Sequence, residues 1–272
     1  MERQTVIRSP AVAGQFYPGT LAQVNASLDR FLRPAEKQRD ALAVVVPHAG
    51  WMYSGATAGT AYAAVRVPDR VIMLGPNHHG LGDPYAVADA GSWRTPVGDV
   101  PICEPLAAAL LKNCALLTAD RPAHSLEHSL EVQVPFLLRR NPNVQIVPIL
   151  IGRAGRKELR EIGAAIARTI QEGRERVLLL ASSDLNHYED RETSNRKDKL
   201  ALDAVVNLDE ETLLKQVATH NISMCGVLPA YIVLVAAKAL GAKHAELLNY
   251  RTSGDVNGDY SAVVGYGAVV IE

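Results

Sequence analysis

Arg70-Val71-Ile72-Met73-Leu74-Gly75-Pro76-Asn77-His78-His79-Gly80 is the stretch from which the fold of this 272-residue chain can be predicted. Its apolar run, rich in β-branched residues, stops at Gly-Pro and is followed by two histidines. A buried strand of an α/β sheet presents side chains in this way at its carboxyl end. The same pattern recurs at residues 42–50, which contain His48, and at residues 176–187, which end in His187. The sequence therefore predicts one edge of a sheet at which histidines converge, and this edge is the candidate site.

Strand and helix patterns alternate through the centre of the chain. Residues 144–151 predict a buried strand, 157–170 a helix and 176–181 another strand, an order that favours parallel pairing with right-handed crossovers. Further helices are predicted at 20–32, 54–65, 101–111, 132–140, 195–206, 209–218 and 228–240, and further strands at 42–47, 70–78, 85–88, 245–252 and 262–271. No internal repeat or low-complexity linker divides the chain. We predict an α/β fold with a single domain over residues 1–272, in which helices flank a central, mostly parallel sheet.

Composition excludes several classes of function. The net charge is −1, the isoelectric point is near 6.7 and 48% of the residues are hydrophobic. The chain therefore has material for a large core but no basic face for nucleic acid. Its first residues carry no apolar signal-peptide core, and no apolar run is long enough to span a bilayer. Three cysteines without C-x-x-C spacing indicate free thiols. We expect a cytoplasmic protein that binds neither nucleic acid nor membranes.

Two histidines are the first candidates for metal ligands. His48 and His78 each follow a strand, and Pro47 and Pro76 restrict the backbone just before them. Two rigidly held imidazoles and one anionic ligand form the smallest open metal site, suited to iron, copper or zinc according to the third ligand. For each histidine alone, the alternative is that it only caps a strand or hydrogen-bonds a loop. Their equivalent positions in the predicted sheet favour a shared site.

Other reactive residues lie near the predicted edge. Cys225 precedes a helix, where backbone N–H groups favour a thiolate, although the sequence is equally compatible with a buried, unreactive cysteine. Asp184 and His187 have the spacing of a turn, so the carboxylate could orient the imidazole for acid–base work or support a metal ligand. A solvated turn is the alternative. Ser182 and Ser183 permit a nucleophile, but the G-x-S-x-G elbow is absent.

Residues 124–128 formally match the H-x-x-E-H pattern of inverted zinc proteases, which needs both histidines on one face of a helix. Ser129 has the character of an N-cap that would begin the helix only after His128, so the sequence disfavours a protease. Glu127 and His128 are still candidates for pocket residues. The loop 253–260 contains acidic residues but lacks the ligand order of an EF-hand, and a turn is predicted there.

Taken together, the motifs of this chain resemble the Memo family, the B component of the AmmeMemoRadiSam group. The resemblance covers nearly the whole chain in order. It is carried by residues 11–18, 47–55, 74–80, 127–133, 147–152, 182–188, 224–226 and 253–255.

The resemblance implies a fold similar to the class III extradiol ring-cleaving dioxygenases, which hold non-haem Fe(II) with two histidines and one carboxylate. In the Memo pattern a cysteine stands in place of the carboxylate, and a thiolate suits copper(I) as well as iron. The implied cofactor is therefore Fe(II) or copper. The implied metal ligands are His48, His78 and Cys225. The implied catalytic residues are His187 as the acid–base group, Asp184 and His128, and the implied substrate-binding residues are His79, Glu127 and Trp51.

From the residues and the resemblance we expect an oxidoreductase that uses dioxygen on a small molecule or a modified substrate. Two other classes of function are alternatives to the oxidoreductase. One is a non-catalytic adaptor that binds a peptide or phosphopeptide in the same cleft, and the other is a zinc-dependent hydrolase. The family name also implies a functional link to radical-SAM and AMMECR-type proteins.

Overall fold

The computed structural model describes residues 6–35 and 37–272, so the prediction about the first five residues lies outside this range. The strands are β1 (Ile7–Arg8), β2 (Ala43–Val46), β3 (Arg70–Pro76), β4 (Tyr85–Val87), β5 (Ser92–Thr95), β6 (Gly98–Pro101), β7 (Thr118–Ala119), β8 (Gln145–Ile151), β9 (Val177–Ser182), β10 (His187–Glu189), β11 (Ala245–Thr252) and β12 (Val263–Ile271). The helices are α1 (Leu21–Phe31), α2 (Trp51–Ala64), α3 (Glu104–Asn113), α4 (Val134–Arg140), α5 (Arg156–Gly173), α6 (Arg191–Val206), α7 (Glu210–Thr219), α8 (Val227–Ala239) and α9 (Gly254–Asn257).

A nine-stranded sheet runs through the molecule in the order β10-β12-β2-β9-β3-β8-β4-β7, with β11 paired to β12. Its four central strands, β2, β9, β3 and β8, are parallel. The flanking strands β12 and β4 pair antiparallel to β2 and β8. The predicted α/β fold is confirmed. Strands β8 and β9 are parallel, as predicted, but they do not pair directly: each pairs with β3, which lies between them.

The central strands are buried on both faces, which explains their continuous apolar runs. Along β3, Ile72 and Leu74 belong to the core beneath α3, α5 and α8, whereas Val71 and Met73 belong to the core beneath α1, α2 and α4. This alternation follows from the two-residue period of a strand. Helices therefore cover both faces of the sheet, as predicted.

Helix α2 begins at Trp51, three residues before the predicted start. Its small residues let α1 approach closely, because a Cβ added at Gly59 would lie 2.5 Å from the carbonyl oxygen of Phe31. A Cβ at Gly55 would meet the ring of the same phenylalanine at 2.5 Å. This helix positions the site because it starts directly after the loop that carries His48.

Two segments differ from the prediction. The hairpin of β5 and β6, joined by β1 in a second sheet of three strands, was not predicted, and the helix expected from residue 101 begins at Glu104. Residues 122–133 contain two short 3₁₀ turns, Pro122–His124 and Glu131–Gln133, before α4 begins at Val134. Among the described helices, none is both long and apolar enough to cross a membrane.

Candidate functional site

Three imidazoles meet at the carboxyl edge of the parallel strands. His48 follows β2, His78 follows β3, and His128 comes from the loop between the two 3₁₀ turns. One ring nitrogen from each of the three lies within 4.8 Å of the other two. The ring centres of His78 and His128 are 4.7 Å apart and stacked, while the ring of His48 stands edge-on to both. Parallel strands bring their carboxyl ends to one edge, which is why the first two meet.

The hydrogen bonds of His48 determine its tautomer. Ser182 Oγ donates its only proton to the carbonyl oxygen of Ser129 at 2.7 Å, so at 3.0 Å it accepts a hydrogen bond from His48 Nδ1–H. The lone pair of the His48 ring is therefore on Nε2, which faces the site. Cys225 Sγ lies 3.2 Å from this Nε2 atom. Burial, with the neighbouring histidines His78 and His128 adding to it, holds the pKa of His48 well below its usual value, so the ring is neutral at pH 7.

Glu127 orients His78 from behind. Its carboxylate, with the residue only 1% exposed, accepts hydrogen bonds from His78 N–H (2.7 Å), His78 Nδ1–H (2.8 Å) and Ser129 N–H (2.9 Å). Burial raises the pKa of Glu127, but these hydrogen bonds and the electrostatic interaction with the His78 ring outweigh it and lower the pKa well below the usual range. An ionised carboxylate on Nδ1 leaves Nε2 of His78 free for a metal. Glu127, which we expect to bind substrate, lies behind His78 and contacts it.

Asp184 holds the backbone of the His48 loop. One carboxylate oxygen accepts hydrogen bonds from the backbone N–H groups of His48 (2.7 Å) and Ala49 (3.2 Å). Burial raises the pKa of Asp184 to about 6, against the lowering effect of those two hydrogen bonds. Asp184, for which the sequence predicts support of a metal ligand, contacts the main chain of His48 rather than its ring.

Cys225 is held against the end of β9. The backbone N–H of Gly226 donates to Ser183 Oγ at 2.9 Å, and a Cβ added at Gly226 would lie 2.3 Å from the carbonyl oxygen of Ser182. Only glycine allows this approach without displacement. Burial, with the charge of Asp184 adding to it, raises the pKa of Cys225, so the free thiol keeps its proton at neutral pH.

His187 is tied to the loop that carries Cys225. Its backbone N–H donates to Ser223 Oγ at 2.7 Å, and its Nδ1–H donates to the carbonyl oxygen of Ser223 at 2.9 Å. Asn186 completes the link, because its side-chain oxygen accepts from the backbone N–H of Ser223. Burial lowers the pKa of His187. The ring is therefore neutral at pH 7, with Nε2 free as an acceptor.

The remaining predicted residues lie in different environments. His79 is exposed and lines, together with His78, Arg153 and Cys225, an open cavity of about 470 Å³ beside the imidazoles. Trp51 is only 3% exposed, packs against Phe136 and donates its Nε1–H to the carbonyl oxygen of Val132. A substrate in the cavity would thus meet His79 directly, whereas Trp51 does not line this cavity and belongs to the core.

The protease pattern is not realised. Residues Pro122–His124 form a single 3₁₀ turn, and the chain is irregular up to His128, so the two histidines share no helix face. His124 is buried and bonds the carbonyl oxygen of Ala86 through Nε2, away from the three imidazoles. Ser129 does not cap a helix, since its hydroxyl bonds the carbonyl oxygen of Pro76.

Gln133 is a site residue that the sequence did not reveal. Its side-chain N–H group donates to the carbonyl oxygen of Pro47 (2.8 Å) and to Ser182 Oγ (3.0 Å), and its oxygen accepts from the hydroxyl of Tyr62. It therefore couples the His48 loop to the end of β9. Its polar type within an apolar segment was the one available signal.

Comparison with known proteins gives a consistent result over the whole chain. The family model described as "Memo-like protein" matches residues 8–270. A MEMO1 family protein of Methanopyrus kandleri is 40% identical to this chain and covers 97% of it, with 98% of the relative aligned. A MEMO1 family protein of Aquifex aeolicus is also 40% identical, over 96% of this chain and 97% of the relative.

A solved structure adds a likeness of fold. The uncharacterized protein JW3007 of Escherichia coli K12 matches 83% of this chain and 98% of its own with a TM-score of 0.54. Its sequence identity is 16%, so the likeness concerns the arrangement of helices and strands alone.

Proposed function

This chain belongs to the Memo-like protein family, and on that premise we propose that it is an oxidoreductase that uses dioxygen and an iron or copper ion. The observation that carries the proposal is the group formed by His48, His78 and His128, whose donor atoms lie within 4.8 Å of one another. Cys225 adds a sulfur beside His48. The 470 Å³ cavity next to them has the size of a site for a small molecule.

The donor set fits a transition metal. The two strand-end imidazoles each give their Nδ1–H to a protein acceptor, Ser182 Oγ or the Glu127 carboxylate, and so direct Nε2 into the site. Such acceptors behind a histidine are typical of metal ligands because they determine the tautomer and raise the basicity of the ring. Burial also lowers the pKa of His128, to about 4, so this third ring is neutral at pH 7 and able to bind a metal.

We assign His48 and His78 as ligands, with Cys225 as the third. When bound, iron or copper would supply electron transfer and open positions for dioxygen and substrate. His187 supplies a neutral ring nitrogen that can take a proton from a substrate hydroxyl or thiol. Asp184 acts through the His48 backbone, and His79 contacts the substrate from the exposed rim of the cavity.

The first experiment measures metal content. The protein is purified anaerobically without added metal, alongside His48→Ala and, as a matched control, His220→Ala, which removes an exposed histidine outside the site. We expect near-stoichiometric iron or copper in the wild type and the control, and loss of the metal in His48→Ala. Metal-loaded protein is then screened for oxygen uptake with diols and thiols. If added Fe(II), Cu(I) and Zn(II) all fail to bind the wild type, the proposal is wrong and a metal-independent binding cleft replaces it.

A second experiment identifies the third ligand, since His128 is also a neutral donor beside His48 and His78. Co(II) is titrated into the wild type, Cys225→Ala and His128→Ala, and thiolate-to-cobalt charge-transfer absorption is recorded. We expect the band in the wild type and in His128→Ala, and its loss with weaker binding in Cys225→Ala. If the wild type shows no such band while His128→Ala loses affinity, the third ligand is His128. Three-histidine ligation with zinc as the bound metal would favour hydrolysis instead of oxidation.

A further inference from the structure

A groove of about 940 Å³ lies on the surface between the end of α1, the outer side of α2 and strand β11. None of the histidines of the candidate site lines it, nor does Cys225. No aspartate or glutamate is among the described residues that form its walls. The cationic side chains that line it are Arg30, Arg33, Lys37, Arg39 and Arg251. Five cations in one groove contrast with the net charge of −1 of the whole chain.

Three of the five cations have no ionic partner among the residues that the structure describes. Arg39 bonds Glu246 and Glu272 at the rim, and the guanidinium of Arg30 lies 4.7 Å from the ring centre of Phe31. Arg33, Lys37 and Arg251 are exposed and form no ion pair with any residue in 6–35 or 37–272. Carboxylates of a partner could pair with these three cations, which no carboxylate among the described residues compensates.

The length and floor of the groove favour an extended chain. Its lining follows α2 from Met52 to Ala64, a distance of ~18 Å at ~1.5 Å per helical residue. An extended segment of about five or six residues, at ~3.3 Å each, has this length. The α2 residues that line the groove are mostly apolar, and Met52, at 68% exposure, lies open to the groove. Such a floor can take the apolar side chains that alternate with acidic ones along an extended segment.

One wall of the groove belongs to an edge strand. In the part of the chain that the structure describes, β11 pairs with β12 alone, and it contributes Leu248, Asn249 and Arg251 to the groove. The main-chain groups of an edge strand can pair with an added extended chain. If a second copy of this protein paired with the same edge strand, its own Arg251 and neighbouring cations would face those of the first copy. The charge therefore opposes self-pairing and favours an acidic chain.

We propose that this groove is a docking site for an extended acidic segment of a partner protein, in which carboxylates alternate with apolar side chains. The carboxylates meet Arg33, Lys37 and Arg251, and the apolar side chains rest on α2. The proposal does not depend on the metal centre, because none of the residues involved belongs to it.

Fluorescence anisotropy of labelled octapeptides tests the proposal on the full-length protein. The probe alternates glutamate with valine, and the matched probe alternates lysine with valine. We expect the wild type to bind only the acidic probe, and more weakly as salt is raised. The affinity of the variant Arg33→Glu/Arg251→Glu for the acidic probe should be lower by a factor of about ten or more. Arg196→Glu/Lys215→Glu, which reverses two exposed cations on α6 and α7, should bind it as the wild type does.

Four outcomes would overturn the proposal. The wild type could fail to bind the acidic probe at low salt, or the α6/α7 variant could lose binding as much as the groove variant, which would reduce the effect to net charge. A single-stranded DNA octamer could bind more tightly than the acidic peptide, which would point to nucleic acid. The groove variant could abolish a concentration-dependent dimer of the wild type, which would make the occupant a second copy of this chain. Thermal unfolding checks that both charge variants are folded.

Discussion

Replacing Glu127 by glutamine tests how the site holds His78. The wild-type carboxylate receives three N–H donors on two oxygens: Oε1 accepts from His78 Nδ1 and Ser129 N, and Oε2 accepts from His78 N. An amide offers one oxygen and one NH₂ group. If its oxygen replaces Oε1, its NH₂ group faces the His78 backbone N–H, donor against donor. At least one hydrogen bond to a charged group is lost, which costs about 1.5–3 kcal/mol.

The substitution should affect stability and metal binding together. Urea unfolding should show a loss of about 1.5–3 kcal/mol, because one N–H donor of the site is left without a partner. The His78 ring also loses its anionic acceptor, and a change of this kind typically weakens metal binding by about tenfold to a hundredfold. Affinity is measured by competition of Zn(II) between the protein and a chromophoric chelator.

Glu210→Gln is the matched control, because Glu210 is also buried and bonded, to Lys238 at 2.7 Å, but lies on α7 outside the site. It should change stability without changing metal affinity. Wild-type metal affinity in Glu127→Gln, measured beside a His78→Ala variant that has lost binding, would refute the argument that Glu127 orients the ligand. Unchanged stability would refute the hydrogen-bond arrangement itself.

Three further predictions concern stability measured by urea unfolding. Burial lowers the pKa of His124 to about 4, so below pH 6.5 the unfolded chain binds more protons than the folded chain. Between pH 7.5 and pH 5 the wild type should therefore lose about 2 kcal/mol more unfolding free energy than His124→Gln. Equal losses in the two proteins would contradict this prediction. Gly59→Ala should cost about 1–3 kcal/mol of stability because the added Cβ would lie 2.5 Å from the Phe31 carbonyl oxygen. Gly173→Ala is the control and should cost nothing, because no atom lies within 4 Å of the Cβ that it adds. Equal effects of the two substitutions would refute the packing argument. Asp190→Ala should cost about 1 kcal/mol because the carboxylate caps α6 by accepting from Thr193 N–H, and an unchanged midpoint would show that the cap is not needed.

The strand pattern predicted the core of the fold well. The apolar runs that became β2, β3, β8 and β9 were placed within two residues of their observed ends. A strand buried on both faces requires an unbroken apolar run, and this requirement is local enough to read along the chain. The hairpin of β5 and β6 was missed because its strands are short, and residues such as Arg94 and Asp99 are polar and pair across it. An amphipathic hairpin of four residues per strand carries little periodic signal.

The protease pattern at 124–128 shows the limit of short motifs. Its spacing is correct, yet the backbone between His124 and His128 is not helical. The two histidines therefore do not share the helix face on which a protease of this type binds zinc. The packing of α1 against α2 is a second feature that no short motif reveals. Two glycines of α2, Gly55 and Gly59, admit Phe31 of α1, and only the tertiary packing of these helices could decide that contact.

By itself, the sequence determined that His48 and His78 lie at one edge of the sheet, because each ends an apolar strand and parallel strands share their carboxyl edge. Tertiary structure alone decided what surrounds them. Cys225 reaches His48 across 177 residues of sequence and Glu127 reaches His78 across 49. Contacts at such separations depend on how loops pack onto the finished sheet, and no local pattern encodes that packing. The tautomers of His48 and His78 follow from those contacts and so belong to the folded structure.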